Sequence, residues 1–391
     1  MNPLSPLSLV IADCAQSVPV ERAVWELATR LPRERFEVRV WLPSDAASEP
    51  LAAALATREI VVDRVPTSGA AWSFRRIFDV WSRLRRARPT VLHMHFDWPT
   101  RGGFSGPMSE MAGVRHRVLT AHGGRTPEDS RGASKTALER ADAVTTTCEL
   151  FGDQLVRETG ISRDRVRRVP PGVDPPDEFR EADAAAEVRE RLGASPLRPL
   201  WVFVGRFEAR RGVEVLVESL GIASSRGLPF IAVLAGEGAQ RGAVERRLAE
   251  LELGASVQLV GPPEDLGALL AAADVVVVPS LWDGVSGVML QALARGRAVI
   301  ASAVGGAPDF IENGLTGRLV PPGDARSLAD ALEFFHRRPD VAARLGREAA
   351  GRVRDECPWE RVVEAYEAVY DEVLGLASFV PESDAVARGR W

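Results

Sequence analysis

The sequence predicts an α/β protein built from two doubly wound domains, and three observations support this prediction. Short β-branched segments alternate with longer amphipathic segments along most of the 391 residues, a pattern typical of parallel sheets covered by helices. A stretch rich in proline and charge, residues 170–199, interrupts the alternation near the middle of the chain. The composition, 46% hydrophobic and 26% charged, is ordinary for soluble domains.

The first half of the chain contains six predicted strands. In order, the strand segments are LSLVIA, FEVRVW, EIVVDRV, VLHMH, RVLTAH and AVTTT, and β-branched residues are frequent in them. We assign residues 1–178 to an N-terminal Rossmann-like domain.

A second series of strands follows the proline-rich stretch, with the segments LWVFV, FIAVLA, VQLV, VVVVP and AVIAS. After the first of these strands, apolar residues recur with the spacing of a helix that buries one face: Val213, Leu216, Val217 and Leu220. Residues 196–357 are predicted to form a second Rossmann-like domain. Ligands of doubly wound sheets bind beyond the carboxyl ends of the strands, so we expect the site in a cleft where the two domains face each other.

Charge and cysteine content exclude several classes of function. Forty-nine basic residues against 54 acidic ones leave a net charge of -5, which argues against a nucleic-acid-binding protein. Cys14, Cys148 and Cys357 lie far apart without a CxxC pair, so neither a disulfide framework nor a zinc site is indicated. The N-terminus shows no basic leader followed by a long apolar core, and we expect a cytoplasmic protein that does not span a membrane.

The segment GRFEARRG, directly after LWVFV, contains the first candidate binding residues. It places Arg206 and Arg211 beside the start of a helix, where the helix dipole, free backbone N–H groups and guanidinium donors all favour phosphate. A solvated arginine cluster is an equally common reason for such a sequence.

The segment VVVVPSLWDGVSGVMLQ predicts a buried strand, a polar turn and a helix that begins near Gly287. Asp283 lies in the turn, either as a functional carboxylate or as an N-terminal cap. Further on, Gly305 and Gly306 precede Pro308. Their backbone amides are candidates for contact with an anion, although tight turns alone would also explain two glycines.

Three histidines follow or lie in predicted strands. His122 ends the segment RVLTAH and is either a catalytic residue or a structural hydrogen-bonding one. His93 and His95 are two residues apart and face the same side of a strand, as metal ligands sometimes do. Since the spacing suggests no third ligand, a structural role is favoured for this pair.

The segment AWSFRRIFDVWSRLRRARPT predicts an amphipathic helix with arginines mostly off its apolar stripe. The stripe consists of Phe74, Ile77, Phe78, Trp81 and Leu84. A core-facing helix with a solvated basic face is favoured over a helix that rests on an anionic membrane.

Taken together and in order, GRFEARRG, SLWDGVSGVMLQALARGRAVIASAVGGAPDFI and GLTGRLVPPGD resemble the donor half of the retaining nucleotide-sugar glycosyltransferases of family 4. The segments TAHGG, ERADAVTTTCELFGDQLV and VRRVPPGVD resemble the first half of that family, and PWERVVEAYEAVY resembles its terminal helix. The resemblance covers roughly residues 90–375 and implies a GT-B fold. Residues 1–178 would be the acceptor-side domain, 196–357 the donor domain, and 358–377 a helix that returns to the N-terminal domain.

The resemblance also implies roles for the donor-binding residues. Arg206 and Arg211 would bind the diphosphate, although the family usually has Lys where Arg211 stands. The backbone N–H groups of Ser286, Gly287 and Val288 would contact phosphate. No D-x-D motif occurs in the sequence, which suits a family that needs no metal to bind its donor.

The family pattern of two glutamates separated by seven residues is matched here by Asp283 and Gln291. Asp283 would lie by the donor sugar and the reacting centre, with a shorter reach than Glu. Gln291 would still accept hydrogen bonds from the ribose, at a cost of roughly 1 kcal/mol. His122 matches a family histidine near the sugar or acceptor. The first loop, DCAQSVPVERAV, departs from the family because it lacks the usual pair of glycines.

The sequence therefore predicts a retaining glycosyltransferase of hexosyltransferase type, which moves a sugar from a nucleotide-diphosphate donor to an acceptor hydroxyl without a cofactor. Asp283 and His122 are its predicted catalytic residues. Two alternatives stay open: a noncatalytic glycosyltransferase-like subunit with a degenerate donor site, and a sugar-nucleotide epimerase of the same fold. Besides donor and acceptor, a membrane surface and a protein partner stay open as partners, whereas nucleic acid is not expected.

Overall fold

The structure, a computed structural model, describes residues 6–13, 18–65, 74–97, 110–123 and 138–376. The chain divides into two compact units. The first unit comprises the residues up to 172 and those from 359 onward, and the second unit comprises residues 173–358. Each unit contains its own parallel sheet with helices, which confirms the predicted α/β class.

The first unit has a seven-stranded sheet in the order β3-β2-β1-β4-β5-β6-β7. Its strands are β1 (Leu7–Asp13), β2 (Phe36–Pro43), β3 (Val61–Val65), β4 (Val91–Phe96), β5 (His116–Ala121), β6 (Ala143–Thr146) and β7 (Val166–Arg168). Its helices before residue 172 are α1 (Val18–Arg30), α2 (Glu49–Thr57), α3 (Phe74–Ala87) and α4 (Glu149–Thr159). The central strand β4 is buried along its whole length, as expected for a parallel strand covered on both faces.

The second unit has a six-stranded sheet in the order β10-β9-β8-β11-β12-β13. Its strands are β8 (Leu200–Val204), β9 (Ile231–Ala235), β10 (Val257–Val260), β11 (Val275–Val278), β12 (Ala298–Ser302) and β13 (Arg318–Val320). Its helices are α5 (Glu178–Leu192), α6 (Val213–Ser225), α7 (Arg241–Glu250), α8 (Leu266–Ala272), α9 (Gly287–Ala294), α10 (Ala307–Phe310), α11 (Ala325–Arg337) and α12 (Pro339–Glu356). The strand order reverses between β8 and β11, so the loops after these strands open a crevice where such sheets bind ligands.

The strands expected from the sequence are all present, and the apolar positions expected for α6 are all buried. Two strands were not predicted, β7 and β13. Each has only three residues, too few for a recognisable alternation.

The boundary between the units lies at residues 172 and 173, before the position 178 chosen from the sequence. The charged stretch that follows forms α5, which is capped by Asp177, whose side chain accepts from the backbone N–H of Arg180 at 3.2 Å. The Glu181 side chain of α5 forms a double hydrogen bond with Arg295 at 2.7 and 2.9 Å. Ala185 joins the core of the second unit. This packing fixes α5 to the second unit.

The terminal helix α13 (Trp359–Leu374) belongs to the first unit. Its buried residues join the core around α1, β1 and β2: Trp359, Val362, Val363, Tyr366, Val369 and Tyr370. A Cβ atom on Gly172 would overlap the Trp359 indole. The N–H of Val173 donates to the carbonyl of Cys357 at 2.8 Å, so the two ends of the second unit lie side by side.

The apolar stripe expected for α3 is partly wrong. Leu84 is buried as expected, but Val80 is buried too, and Phe78 is 61% exposed. The side chains of Phe74 and Ile77 lie outside the described part of the structure. Trp81 is half-buried and donates from its indole N–H to the carbonyl of Met111 at 3.2 Å.

Cys148 and Cys357 are buried, and Cys14 lies outside the described residues. Within the described ranges, no helix has the length and apolarity that crossing a membrane requires.

Candidate functional site

Glycines bring the loops after β8, β9, β11 and β12 of the second unit into backbone contact. Gly212, with φ of +66°, lies against the carbonyl oxygen of Pro279, and Gly305, with φ of +54°, lies against the carbonyl oxygens of Asp283 and Gly284. Gly236, with φ of +147°, lies against the carbonyl oxygen of Gly205. A Cβ atom at each of these glycines would overlap the neighbouring backbone, so the loops meet only because these residues lack side chains.

Asp283 lies in the turn after β11 and is only 8% exposed. Its carboxylate accepts from the Arg211 guanidinium, from the backbone N–H of Gly284 at 2.9 Å and from the Ser280 hydroxyl at 3.3 Å. The Arg210 guanidinium lies 4.0 Å away. These contacts fix the direction of the carboxylate. Asp283 does not cap α9, because Ser286 occupies that position.

Arg211 sits at the end of a short 3₁₀ turn, Ala209–Arg211. One of its terminal nitrogens donates to Asp283, while its Nε is buried and finds no acceptor among the described residues. An unpaired buried donor is unfavourable, so this nitrogen is suited to a further anionic or carbonyl acceptor.

Arg206 is predominantly exposed and forms an ion pair with Glu208. Glu208 also accepts from Nε of Arg210 at 3.0 Å. Partial burial would raise the pKa of Glu208, but the hydrogen bond from Arg210 and the charges of both arginines outweigh it and lower the pKa.

Glu208 and Arg210 were not predicted as site residues. Three guanidiniums, those of Arg206, Arg210 and Arg211, gather around two carboxylates, those of Glu208 and Asp283. Three positive charges less two negative ones leave one positive charge in excess at this edge of the sheet.

The N-terminus of α9 follows Asp283 directly. The Ser286 hydroxyl accepts from the N–H of Met289 at 3.3 Å and caps the helix. Gly287 and Val288 lie in the first turn, where backbone N–H groups have no partner within the helix. Gln291 lies one turn further on and is half-buried.

A small cavity opens beside this turn. Its lining includes Ser280, Asp283, Gly284, Ser286 and Ser302.

The Gly305–Gly306 pair contacts the turn after β11. The backbone N–H of Gly306 donates to the carbonyl of Gly284 at 3.0 Å. The Gly305–Gly306 pair therefore serves the contact between two loops, as in the tight-turn interpretation.

His122 follows β5 in the first unit and is 8% exposed. Its Nε2 lies 2.8 Å from Nδ1 of His95. His93 makes two further hydrogen bonds, one between Nδ1 and the Tyr370 hydroxyl and one between Nε2 and the Thr120 hydroxyl, both at 2.7 Å. His93 and His95 face the same side of β4 as expected, with ring centroids 4.0 Å apart.

Burial controls the ionisation of these histidines. It lowers the pKa of His122 to about 4 and, with the nearby His122, that of His93 to about 3. Burial and the two neighbouring histidines also hold the pKa of His95 well below its usual value. All three imidazoles are therefore neutral at pH 7.

In the described part of the chain, no group of three or more His, Cys, Asp or Glu side chains is arranged to hold a metal ion. The first-loop residues 14–17, on which the sequence departs from the family pattern, lie outside the described residues.

Two Rossmann-like units in one chain are the architecture of the GT-B class, and arginines, a carboxylate and a helix N-terminus gather at the strand ends of the second unit. Two protein-family profiles match, "Glycosyltransferase Family 4" over residues 20–176 and "Glycosyl transferases group 1" over residues 198–337. The chain belongs to glycosyltransferase family 4, which confirms the predicted family and the predicted enzyme class.

Similar proteins support this assignment. The D-inositol 3-phosphate glycosyltransferase of Nocardia farcinica is 31% identical over 329 residues, covering 77% of this chain and 72% of the relative. The alpha-D-kanosaminyltransferase of Streptomyces kanamyceticus is 29% identical over 287 residues, covering 68% of this chain and 73% of that relative. The structure of Anabaena HepE in complex with UDP superposes with a TM-score of 0.77 at 16% identity. The match covers 94% of this chain and 100% of the HepE chain.

Proposed function

We propose that this glycosyltransferase transfers a sugar from a nucleotide-diphosphate donor to an acceptor hydroxyl with retention of configuration. The observation that carries the proposal is the arginine cluster beside Asp283 and the N-terminus of α9. Fixed cations and backbone N–H groups in such an arrangement stabilise the negative charge that develops on a departing diphosphate.

Each candidate residue then has a role. Arg206 and Arg211 bind the diphosphate, and the N–H groups around Ser286, Gly287 and Val288 add donors from the first turn of α9. The unpaired Nε of Arg211 supports this role, because a phosphate oxygen would satisfy it.

Asp283 orients the donor sugar, and Gln291 accepts hydrogen bonds from the ribose. His122 contacts the sugar or the acceptor. The rigid contacts of Asp283 support its role, since a catalytic group that moves by about an ångström loses on the order of a hundredfold in rate.

Transfer is favoured over epimerisation, because the named relatives are sugar transferases. An epimerase would change the sugar without releasing the nucleotide, so analysis of the products separates the two.

The nucleotide is tested first with UDP, because HepE has been solved in complex with UDP. Thermal unfolding of the full chain is followed with UDP, GDP, ADP, dTDP and their sugars. A ligand at 100 times its Kd stabilises the folded state by about 2.7 kcal/mol. We expect one base to raise the melting temperature selectively.

Matched variants locate the binding site. Arg211→Ala is expected to abolish the nucleotide-induced shift, because it removes a guanidinium beside Asp283. Arg226→Ala removes an arginine of the same unit that pairs with Asp330 and Glu333, away from the proposed site, and is expected to keep the shift. A full shift in Arg211→Ala, or no shift with any nucleotide in the unaltered protein, would contradict the proposed donor site.

For partners, we propose a peripheral contact with an anionic membrane through the exposed side of α3. Phe78 is 61% and Met111 70% exposed, and Arg85 and Arg86 are exposed nearby along the helix. Aromatic and basic side chains together favour an anionic lipid interface. Co-sedimentation with anionic and with neutral vesicles tests this contact, and equal binding to both would contradict it. The cytoplasmic location stays a prediction.

A further inference from the structure

His95 is fully buried between two other histidines of the first unit, and the proposed reaction gives it no role. One of its ring nitrogens, Nδ1, lies 2.8 Å from Nε2 of His122. The other, Nε2, is buried and has no hydrogen-bond partner among the described residues. This asymmetry determines where the protons of the pair lie.

Each neutral imidazole carries one N–H and one lone pair, so the hydrogen bond between His95 and His122 has two arrangements. In the first, His95 carries its proton on Nδ1 and donates to Nε2 of His122, which then carries its own proton on Nδ1. In the second, His122 donates from Nε2, and His95 must carry its proton on the buried Nε2.

The two arrangements leave different groups unpaired inside the protein. The first leaves a lone pair of His95 without a donor. The second leaves a buried N–H without an acceptor, the kind of group that is rarely orphaned in folded proteins. The first arrangement is therefore the more stable one.

We propose that His95 is a positioning residue that fixes His122 in the tautomer protonated at Nδ1, so that His122 offers the reaction a hydrogen-bond donor and not a base. The ring planes of His95 and His122 differ by only 25°, and their centroids lie 5.1 Å apart, as expected for two rings that share a hydrogen bond edge to edge. The expected effect of this tautomer on catalysis rests on the proposed function of His122. The assignment of the tautomer rests only on the hydrogen bonds of His95 and His122.

The surrounding contacts hold His95 in place. Its ring packs on His93, whose two nitrogens are occupied by Tyr370 and Thr120. The backbone N–H of His122 donates to the backbone carbonyl of Phe96 at 2.8 Å. The Thr147 hydroxyl donates to the backbone carbonyl of His122 at 3.0 Å. Backbone and ring of His122 are thus both fixed.

A chemical consequence follows for His122. Its Nε2 lone pair is occupied by the N–H of His95, and its Nδ1 already carries a proton. His122 therefore has no free lone pair with which to remove a proton from the acceptor hydroxyl. It can donate a hydrogen bond to a hydroxyl or phosphate oxygen.

The test is a ¹⁵N-histidine NMR spectrum of the full chain at pH 7, in which protonated and unprotonated ring nitrogens have well-separated shifts. The chain has five histidines, and His122→Asn assigns the signal of interest. We expect His122 to be protonated at Nδ1. Protonation at Nε2 would overturn the inference.

Two substitutions of His95 separate positioning from packing. His95→Phe keeps a ring but removes the donor, so we expect the ¹⁵N signal of Nε2 of His122 to move away from the shift of a lone pair that accepts a hydrogen bond. His95→Asn places an amide N–H near the position of Nδ1 and is expected to restore the original Nε2 shift even if its packing is poorer. An unchanged Nε2 shift of His122 in His95→Phe would overturn the inference.

Turnover then tests the link to the reaction. We expect a drop of roughly tenfold or more in kcat for His95→Phe and a partial recovery in His95→Asn. If the Nε2 shift of His122 changes in His95→Phe but turnover does not, the inference about His95 stands and the proposed role of His122 is wrong. If the unaltered protein binds no nucleotide, the donor-site proposal is what fails.

Discussion

Gly212 shows how one residue type determines whether the loops of the second unit can meet. It has φ of +66° and lies against the carbonyl oxygen of Pro279, next to Arg211 and one residue before α6. A side chain here would be strained by the backbone conformation and would also push the turn after β11 away from the arginines.

We predict that Gly212→Ala lowers the free energy of unfolding by about 3 kcal/mol or more, because strain and overlap add. Gly193→Ala is the matched control. Gly193 has φ of +69°, and no atom lies within 4 Å of the position that a Cβ atom would take there, so its cost should be only about 1 kcal/mol. Urea unfolding of both variants measures the difference, and equal costs would show that the contact with Pro279 is unimportant.

At the same scale, the sequence predicted the positions of Asp283 and His122 at strand ends but not their partners. The pair of Arg211 and Asp283 joins residues 72 apart through side-chain directions that periodicity does not reveal. The contact of His95 with His122 would have been easier to predict from the sequence. Consecutive strands commonly pair, and pairing of β4 with β5 places His95 opposite Thr120, two residues before His122.

Among the helices, α9 allows the most direct test, because its N-terminus has a structural role and a proposed functional one. Ser286 caps the helix, and the backbone N–H groups of the first turn form the proposed phosphate site. Ser286 caps α9, as Asp324 caps α11 by accepting from the N–H of Ser327 at 2.9 Å. Loss of either cap removes one hydrogen bond from the start of a helix.

We expect Ser286→Ala and Asp324→Ala each to lower the free energy of unfolding by about 1 kcal/mol. Nucleotide affinity should fall by no more than a few fold in Ser286→Ala, since the proposed phosphate contacts use backbone N–H groups. Calorimetric titration measures the affinity. A loss of a hundredfold would assign the Ser286 hydroxyl a direct contact with the donor instead.

The helix α3 marks the limit of pattern-based prediction at this scale. An apolar stripe indicates which face of a helix is buried only when every apolar residue lies on that face. Here Val80 and Leu84 are buried, whereas Phe78 is largely exposed. Tertiary packing shifts the buried face by about one residue, and the sequence contains no signal for that shift.

At the scale of the whole molecule, the three buried histidines make stability depend on pH. Burial lowers the pKa of His122 to about 4 and that of His93 to about 3, against about 6.5 in an unfolded chain. The unfolded state therefore binds more protons below pH 6.5. The stability that the neutral histidines contribute is fully present above this pH and is lost as the pH falls toward the folded values.

We predict that the free energy of unfolding falls by about 2 kcal/mol per buried histidine between pH 7 and pH 5. Urea unfolding across this range measures the slope. The slope should be smaller in His93→Gln than in the unaltered protein. An identical slope in this variant would contradict this explanation.

The return of α13 to the first unit has a consequence for how the protein is made. On the ribosome, residues up to 172 emerge before the second unit, yet their core lacks Trp359, Tyr366 and Tyr370 until α13 has been translated. The second unit is one continuous segment and is complete before α13 appears. The half that is synthesised first is therefore finished last, and its apolar surface stays uncovered in the nascent chain, where it is a natural substrate for chaperones.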